Sequence, residues 1–303
     1  MAQYAIEANG LTRYFGNKPV VQQATFTVPV GSVTGLLGLN GAGKSTTIRM
    51  LMGLLDPTRG SCSLLGVDSR KLKPEDRVRI GYTIEEHYLY SGLTVRDAEL
   101  VQADCFPRWN SLIFQSIISR FGISPTGRIR HLSRGQRAGV SIALTLSSQP
   151  EILVLDDPSL GLDPVARRAL NETILEFIEP GDRSVLLSSH MLDDIERVAD
   201  RVMIMVEGRI VVNTTVPDFL SRIVTWSCQC AEDFDSISIP GLISKRRIGK
   251  RWLFTVVDGN EETEQVIQTI GGSDATRTES SFDEAVVAYL SRSRTSESFL
   301  QRG

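Results

Sequence analysis

Long apolar runs are missing from this sequence: no stretch approaches the roughly 20 hydrophobic residues that a helix needs to cross a bilayer. Work at a membrane would require another chain to supply the span. Met1 to Gly10 is mixed polar and lacks the apolar core of a secretory signal, so no leader is expected. Cysteine is scarce too. The four present, Cys62, Cys105, Cys228 and Cys230, show neither a disulfide-framework spacing nor a C-x-x-C pair, which points to free thiols in a reducing compartment, the cytoplasm. A formal net charge of -3 offers no basic footprint for nucleic acid. There is no sustained heptad pattern, which excludes a long coiled coil. With 303 residues the chain is long enough for two domains and an ample core.

Against that background one stretch stands out. Gly38-Leu39-Asn40-Gly41-Ala42-Gly43-Lys44-Ser45-Thr46 fits the phosphate-binding pattern G-x-x-x-x-G-K-[ST]. Glycines there let successive backbone N–H groups turn inward around a phosphate chain, because a Cβ would forbid the dihedrals or block the approach. Lys44 supplies a mobile charge for β- and γ-phosphates, and the Ser45 hydroxyl is placed to ligate Mg²⁺. Val33 to Leu37 precedes the loop as an apolar strand. Thr46 and the residues after it begin a helix whose positive end faces the anion.

Elsewhere, alternation marks Tyr4 to Ala8 and Val20 to Val28 as antiparallel strands, with the aromatic pair Tyr14-Phe15 on a turn between them. An aromatic face at that place suits adenine stacking or simple hairpin packing. Ser61 to Leu65 and Arg79 to Glu86 read as further strands, and Thr94 to Ser119 as helix interrupted at Cys105 to Asn110. Ser133 and Gly135 open a helix, Arg137 to Ser148, with the residue types either of an ordinary cap or of an anion site. Glu151 to Leu155 is a buried strand that delivers Asp156 and Asp157 at its carboxyl end, where ligands collect in open α/β sheets. Asp163-Pro164 starts the helix Val165 to Ile178. The apolar strand Ser184 to Ser189 ends at His190, one of three histidines and a candidate for γ-phosphate contact.

The set made by Gly38 to Ser45, Leu132-Ser133-Arg134-Gly135-Gln136, Ile152 to Asp157, Gly161-Leu162-Asp163 and His190 resembles the ATP-binding subunit of an ABC transporter. Phe106 to Asn110 and Gly161 to Pro164 look most like bacterial exporters with a separate permease. The likeness covers roughly Ala5 to Leu220.

That resemblance implies an α/β fold of the P-loop ABC ATPase type: a mixed sheet core, an antiparallel β subdomain and a helical subdomain. It implies two cofactors, ATP and Mg²⁺. Phe15, with Tyr14 as fallback, would stack on adenine, while Asn40, Gly41, Ala42, Gly43, Lys44, Ser45 and Thr46 cradle the phosphates. Asp156, Ser45 and Glu85 would hold the metal, Asp157 would orient the attacking water, and His190 would hold the γ-phosphate.

Ser133, Gly135 and Gln136 would cap the nucleotide of an opposing subunit, homologous or identical, with Asp163 bridging the two. An integral-membrane permease is the other implied partner, the segment Tyr88 to Leu93 contributing to the groove that receives it. This places the chain on the cytoplasmic face of the membrane, with nucleic acid excluded as a partner.

The chain departs from the family pattern at three positions. Ile84 replaces the usual proline, Arg134 the first glycine of the signature, and Asp157 the catalytic glutamate. Two further readings stand beside the transporter subunit: a soluble ABC-type ATP switch and a degenerate regulatory subunit that hydrolyses slowly.

Residues 1–220 are expected to form the ATP-binding domain and 221–303 a small α+β domain for regulation or dimer contact. In the latter, Ile223 to Cys230 and Arg251 to Val257 read as strands, and Glu261 to Ile270 and Phe282 to Ser291 as helices. Cys228 and Cys230 share a strand face and could take a metal.

Overall fold

The computed structural model describes residues 3–84, 87–229 and 238–300, without the side chains of Ser273 and of 292–300. The chain divides into two compact units, 1–213 and 214–303.

The first unit opens with a long hairpin, β1 (Tyr4–Phe15) and β2 (Lys18–Pro29), followed by β3 (Val33–Leu37) and α1 (Lys44–Leu51). Next come β4 (Arg59–Leu64), β5 (Val67–Asp68), the single turn α2 (Pro74–Arg77) and β6 (Ile80–Thr83). A helical stretch holds α3 (Val95–Cys105), α4 (Ser111–Arg120) and α5 (Arg134–Ser147). The chain then alternates through β7 (Ile152–Asp156), α6 (Pro164–Ile178), β8 (Ser184–Ser189) and α7 (Leu192–Val198) to β9 (Arg201–Val206) and β10 (Arg209–Thr215).

These strands build two sheets. One has the order β2-β1-β4-β5 with antiparallel pairing, and the other runs β10-β9-β3-β8-β7-β6. In the second sheet β9, β3, β8, β7 and β6 are parallel neighbours. Every residue of β3, β7 and β8 is buried, as expected of parallel strands covered on both faces. Each also ends at a functional candidate: β3 at Gly38, β7 at Asp156 and β8 just before His190. Because β8 lies between β3 and β7, the three carboxyl ends converge on one crevice.

The helix interruption is where the residues put it, since Thr94 and Asn110 cap α3 and α4 through their side-chain oxygens. Two boundaries differ from the sequence reading. Leu11 to Phe15 continues β1 rather than forming a turn, because Leu11 is fully buried and Thr12 and Arg13 still pair across the sheet, leaving only Gly16 and Asn17 to reverse the chain. Helix α5 starts at Arg134, not Arg137, because Ser133 and Gln136 form a reciprocal capping box.

The second unit contains α8 (Val216–Ser221), β11 (Ile223–Cys228), β12 (Leu242–Ile248), β13 (Arg251–Val257), α9 (Glu261–Gly271), β14 (Thr276–Glu279) and α10 (Phe282–Leu300). Its antiparallel sheet has the order β12-β13-β11-β14. Trp226, Cys228, Phe254, Val256 and Ile267 form the core. Helix α8 packs within this unit, with Phe219 against Phe282 and Tyr289. Cys228 is buried at the end of β11, while Cys230 lies outside the described residues. Among the described residues no helix is long and apolar enough to cross a membrane.

Candidate nucleotide site

The loop between β3 and α1 has no room for side chains at two of its glycines. A Cβ on Gly38 would lie 2.7 Å from the carbonyl oxygen of Met205, and one on Gly43, at φ 108°, would lie 2.7 Å from that of Val20. Only glycine satisfies both the dihedral and the approach at residue 43. The loop therefore sits tightly on β9 and β2 and directs its outer face at a cavity of about 350 Å³. Asn40, Gly41, Gly43, Lys44, Ser45 and Thr46 line that cavity, while the buried Ala42 backs the loop. The volume lies within the usual range for small-molecule sites.

Lys44 is only 6% exposed and donates to the carbonyls of Gly38 at 2.8 Å and Leu39 at 3.4 Å. The loop's own backbone thus holds the ammonium at the cavity. Ser45 Oγ donates to Asp156 Oδ1 at 3.1 Å, and Ser188 Oγ donates to the same oxygen at 2.9 Å. Two strand ends and one helix start are tied together through a single carboxylate oxygen. A hydroxyl and a carboxylate in hydrogen-bond contact form a hard oxygen pair that suits Mg²⁺, a cation that commonly takes one or two protein ligands with substrate phosphates and water. Among the described residues no group of three His, Cys, Asp or Glu could hold a metal by itself. On the neighbouring β6, burial and then the Asp156 carboxylate push the Tyr82 hydroxyl up to about 12.

Asp157 and His190 both line the cavity and meet each other, Nδ1 to Oδ1 at 2.7 Å. A carboxylate accepts, so Nδ1 carries the proton and Nε2 is the nitrogen left for the cavity. The sequence reading assigned these residues separate tasks and did not anticipate the contact, which spans 33 positions. Asp157 takes φ 50° and is held there by its own N–H, which donates to Ser188 Oγ at 2.9 Å. Leu39 of the loop, Val20 and Leu160 complete the lining, and the last two were not anticipated either.

The remaining candidates lie elsewhere. Phe15 is 48% exposed at the end of β1 with the Arg13 guanidinium 5.0 Å from its ring, and it does not line the cavity. Glu85 lies outside the described residues. Ser133, Gly135, Gln136 and Asp163 are absent from the cavity lining and sit at two helix starts. Ser133 Oγ accepts from Gln136 N, and Asp163 Oδ1 accepts from Val165 N and Ala166 N at 2.9 Å each. The starts pack closely: a Cβ on Gly135 would lie 2.8 Å from Ala166 Cβ and 3.6 Å from Asp163 Oδ2. Arg134 lies over Gly161, where a Cβ would come within 2.3 Å of its guanidinium. The arginine thus occupies space beside the 159–163 turn.

A phosphate-binding loop after a central parallel strand, with a carboxylate from the second strand over, defines a P-loop nucleotide-binding protein. The family model described as "ABC transporter" matches residues 21–160. The Nod factor export ATP-binding protein I of Rhizobium meliloti is 35% identical over 211 residues, 68% of this chain and 62% of that protein, so the match spans less than two thirds of this relative. The bacitracin transport ATP-binding protein BcrA of Bacillus licheniformis is 33% identical over 207 residues, 68% of each. A solved structure of the ATP-binding subunit of an ABC transporter superposes with TM-score 0.65 at 30% identity, over 72% of this chain and 92% of that one. The chain belongs to the ABC transporter ATP-binding family.

Proposed function

We propose that this chain binds and hydrolyses Mg·ATP and thereby powers transport, in the export direction of its named relatives, through a separate membrane permease. The observation that carries this reading is the convergence of Lys44, Ser45, Asp157 and His190 on one crevice at the ends of β3, β7 and β8, with Asp156 held behind it on Ser45 Oγ. In it the loop amides and Lys44 would bind the phosphates, and Ser45 and Asp156 would hold the metal, with Glu85 as a further oxygen donor. The bound Mg²⁺ would neutralise developing charge between the phosphates. Asp157 orients the attacking water, and His190 steadies that carboxylate through Nδ1–H and contacts the γ-phosphate as a donor in the ring form that carries a proton on Nε2 as well.

Ser133, Gly135, Gln136 and Asp163 have no place in that crevice within one chain. We read them as serving the nucleotide of a second ATP-binding subunit, so that two nucleotides are enclosed between two chains arranged head to tail. Cycles of closing and opening would then drive the permease at the cytoplasmic face of the membrane. Phe15, exposed at the end of β1, remains the proposed adenine contact. The small second unit would serve regulation or dimer contact.

Lys44→Ala tests the site assignment. Removing a preorganised cation from the phosphates is expected to lower turnover on the order of 10²- to 10³-fold and to weaken ATP binding, with the fold intact. Unchanged phosphate release by the folded variant would refute the assignment.

A further inference from the structure

Six described non-glycine residues of the first unit, Gln23, Leu65, His87, Gln149, Asp157 and Glu207, take positive φ, and two of them, His87 at 45° and Asp157 at 50°, belong to segments that meet. Such residues persist only where their surroundings over-determine them, and they gather at functional sites. One hydrogen bond joins these two segments across 71 positions. His87 Nε2 lies 3.1 Å from the carbonyl oxygen of Pro158, the residue after Asp157. A carbonyl only accepts, so Nε2 carries the proton. The imidazole is 5% exposed, and its other nitrogen is buried without a hydrogen-bond partner among the described residues. A polar ring kept inside at that cost calls for an explanation.

The His190 backbone N–H and Nδ1 both reach Asp157 Oδ1, at 3.4 and 2.7 Å, and the rest of the turn that His87 touches has few other holds. The Leu160 amide donates to the Asp157 carbonyl and the Leu162 amide to that of Ser159, both inside the turn, while Ser188 anchors the Asp157 amide from β8. His87 grips the same turn from the opposite part of the chain. We infer that His87 is a positioning residue for hydrolysis: its Nε2–H, held on the Pro158 carbonyl, fixes the turn that aims the Asp157 carboxylate. Ser188 fixes the Asp157 amide, so loss of the grip frees the chain on the other side, at Pro158, and lets the turn and the aim of the carboxylate drift. A displacement of about 1 Å at a reacting position can cost on the order of 10²-fold in rate, so a partial loss of aim is visible in kcat. The catalytic half of this inference rests on the hydrolysis reading above; the grip itself does not.

His87→Phe keeps an aromatic ring and removes the donor, whereas His87→Gln returns an amide N–H at similar reach. Two readouts are compared with wild type. In the nucleotide-free protein, amide hydrogen exchange over 157–162 is expected to be about 10-fold faster in His87→Phe and near wild type in His87→Gln, with α4 unchanged. In steady-state turnover, kcat is expected to fall about 10-fold in His87→Phe with KM for ATP unchanged, and to be largely restored in His87→Gln. His87→Met serves as the donor-free variant if the phenylalanine fails to fold.

Wild-type exchange over 157–162 in a folded donor-free variant would overturn the grip. Faster exchange with wild-type kcat would overturn its role in hydrolysis, and a His87→Gln protein as impaired as His87→Phe would assign the effect to ring packing instead. If the wild type releases no phosphate, the hydrolysis reading fails, while the exchange comparison still decides the grip.

Discussion

Asp157→Asn is expected to reduce ATP turnover by about 10²- to 10⁴-fold, the range attributed to a positioned general base, while ATP still binds. An amide has the shape of the carboxylate without its charge or its second accepting oxygen. In this chain the loss is compounded because Oδ1 is already engaged by His190 Nδ1 at 2.7 Å, leaving Oδ2 as the oxygen for water. Asp157→Glu has the opposite expectation. An aspartate reaches about 1 Å less far than a glutamate from the same backbone position, a deficit large enough to limit the chemistry. The longer side chain should therefore turn over faster than wild type. Steady-state ATPase rates for the three proteins, measured with the permease present, check both statements. If Asp157→Asn keeps wild-type turnover, the water-orienting carboxylate lies elsewhere, and Glu85 is the next residue to replace.

The second large effect concerns Ser133→Arg. Ser133 caps α5 in a reciprocal box with Gln136 beside the α6 start, on a surface that takes no part in its own chain's cavity. A bulky cation there is expected to leave ATP binding at Lys44 and Ser45 intact and to prevent two chains from closing on ATP. Light scattering on Asp157→Asn with Mg·ATP should show a dimer, and the double variant Ser133→Arg/Asp157→Asn a monomer. A dimer that survives Ser133→Arg would count against the sandwich. Loss of the cap itself costs about 1 kcal/mol, too little to unfold the domain and confuse the result.

The phosphate loop was legible because its chemistry constrains consecutive residues: the glycines, the lysine and the serine all act from one short segment. The buried strands β3, β7 and β8 were legible as apolar runs, whereas the sheet order β3-β8-β7 that brings Asp156 to Ser45 does not follow their order along the chain. The contacts between distant residues were not. Nothing in the sequence couples Asp157 to His190 or His87 to Pro158, since each pair is made by the packing of separate segments.

The tip of the first hairpin misled for a local reason, an aromatic pair beside Gly16 having the composition of a turn. Strands β12 and β14 escaped because most of their residues are exposed and charged or polar, which removes the alternation that marks a half-buried strand. Phe15 was proposed from the family resemblance, and the cavity lining does not include it.

The most direct test of ATP hydrolysis shared between two chains is phosphate release by the wild type at saturating Mg·ATP as a function of chain concentration. If Ser133, Gly135 and Asp163 of one subunit complete the site built from Lys44, Asp156, Asp157 and His190 of the other, the rate per chain should rise with concentration and level off as dimers fill. A rate per chain that stays constant from dilute to concentrated protein, or no release from protein that binds ATP, would contradict the account.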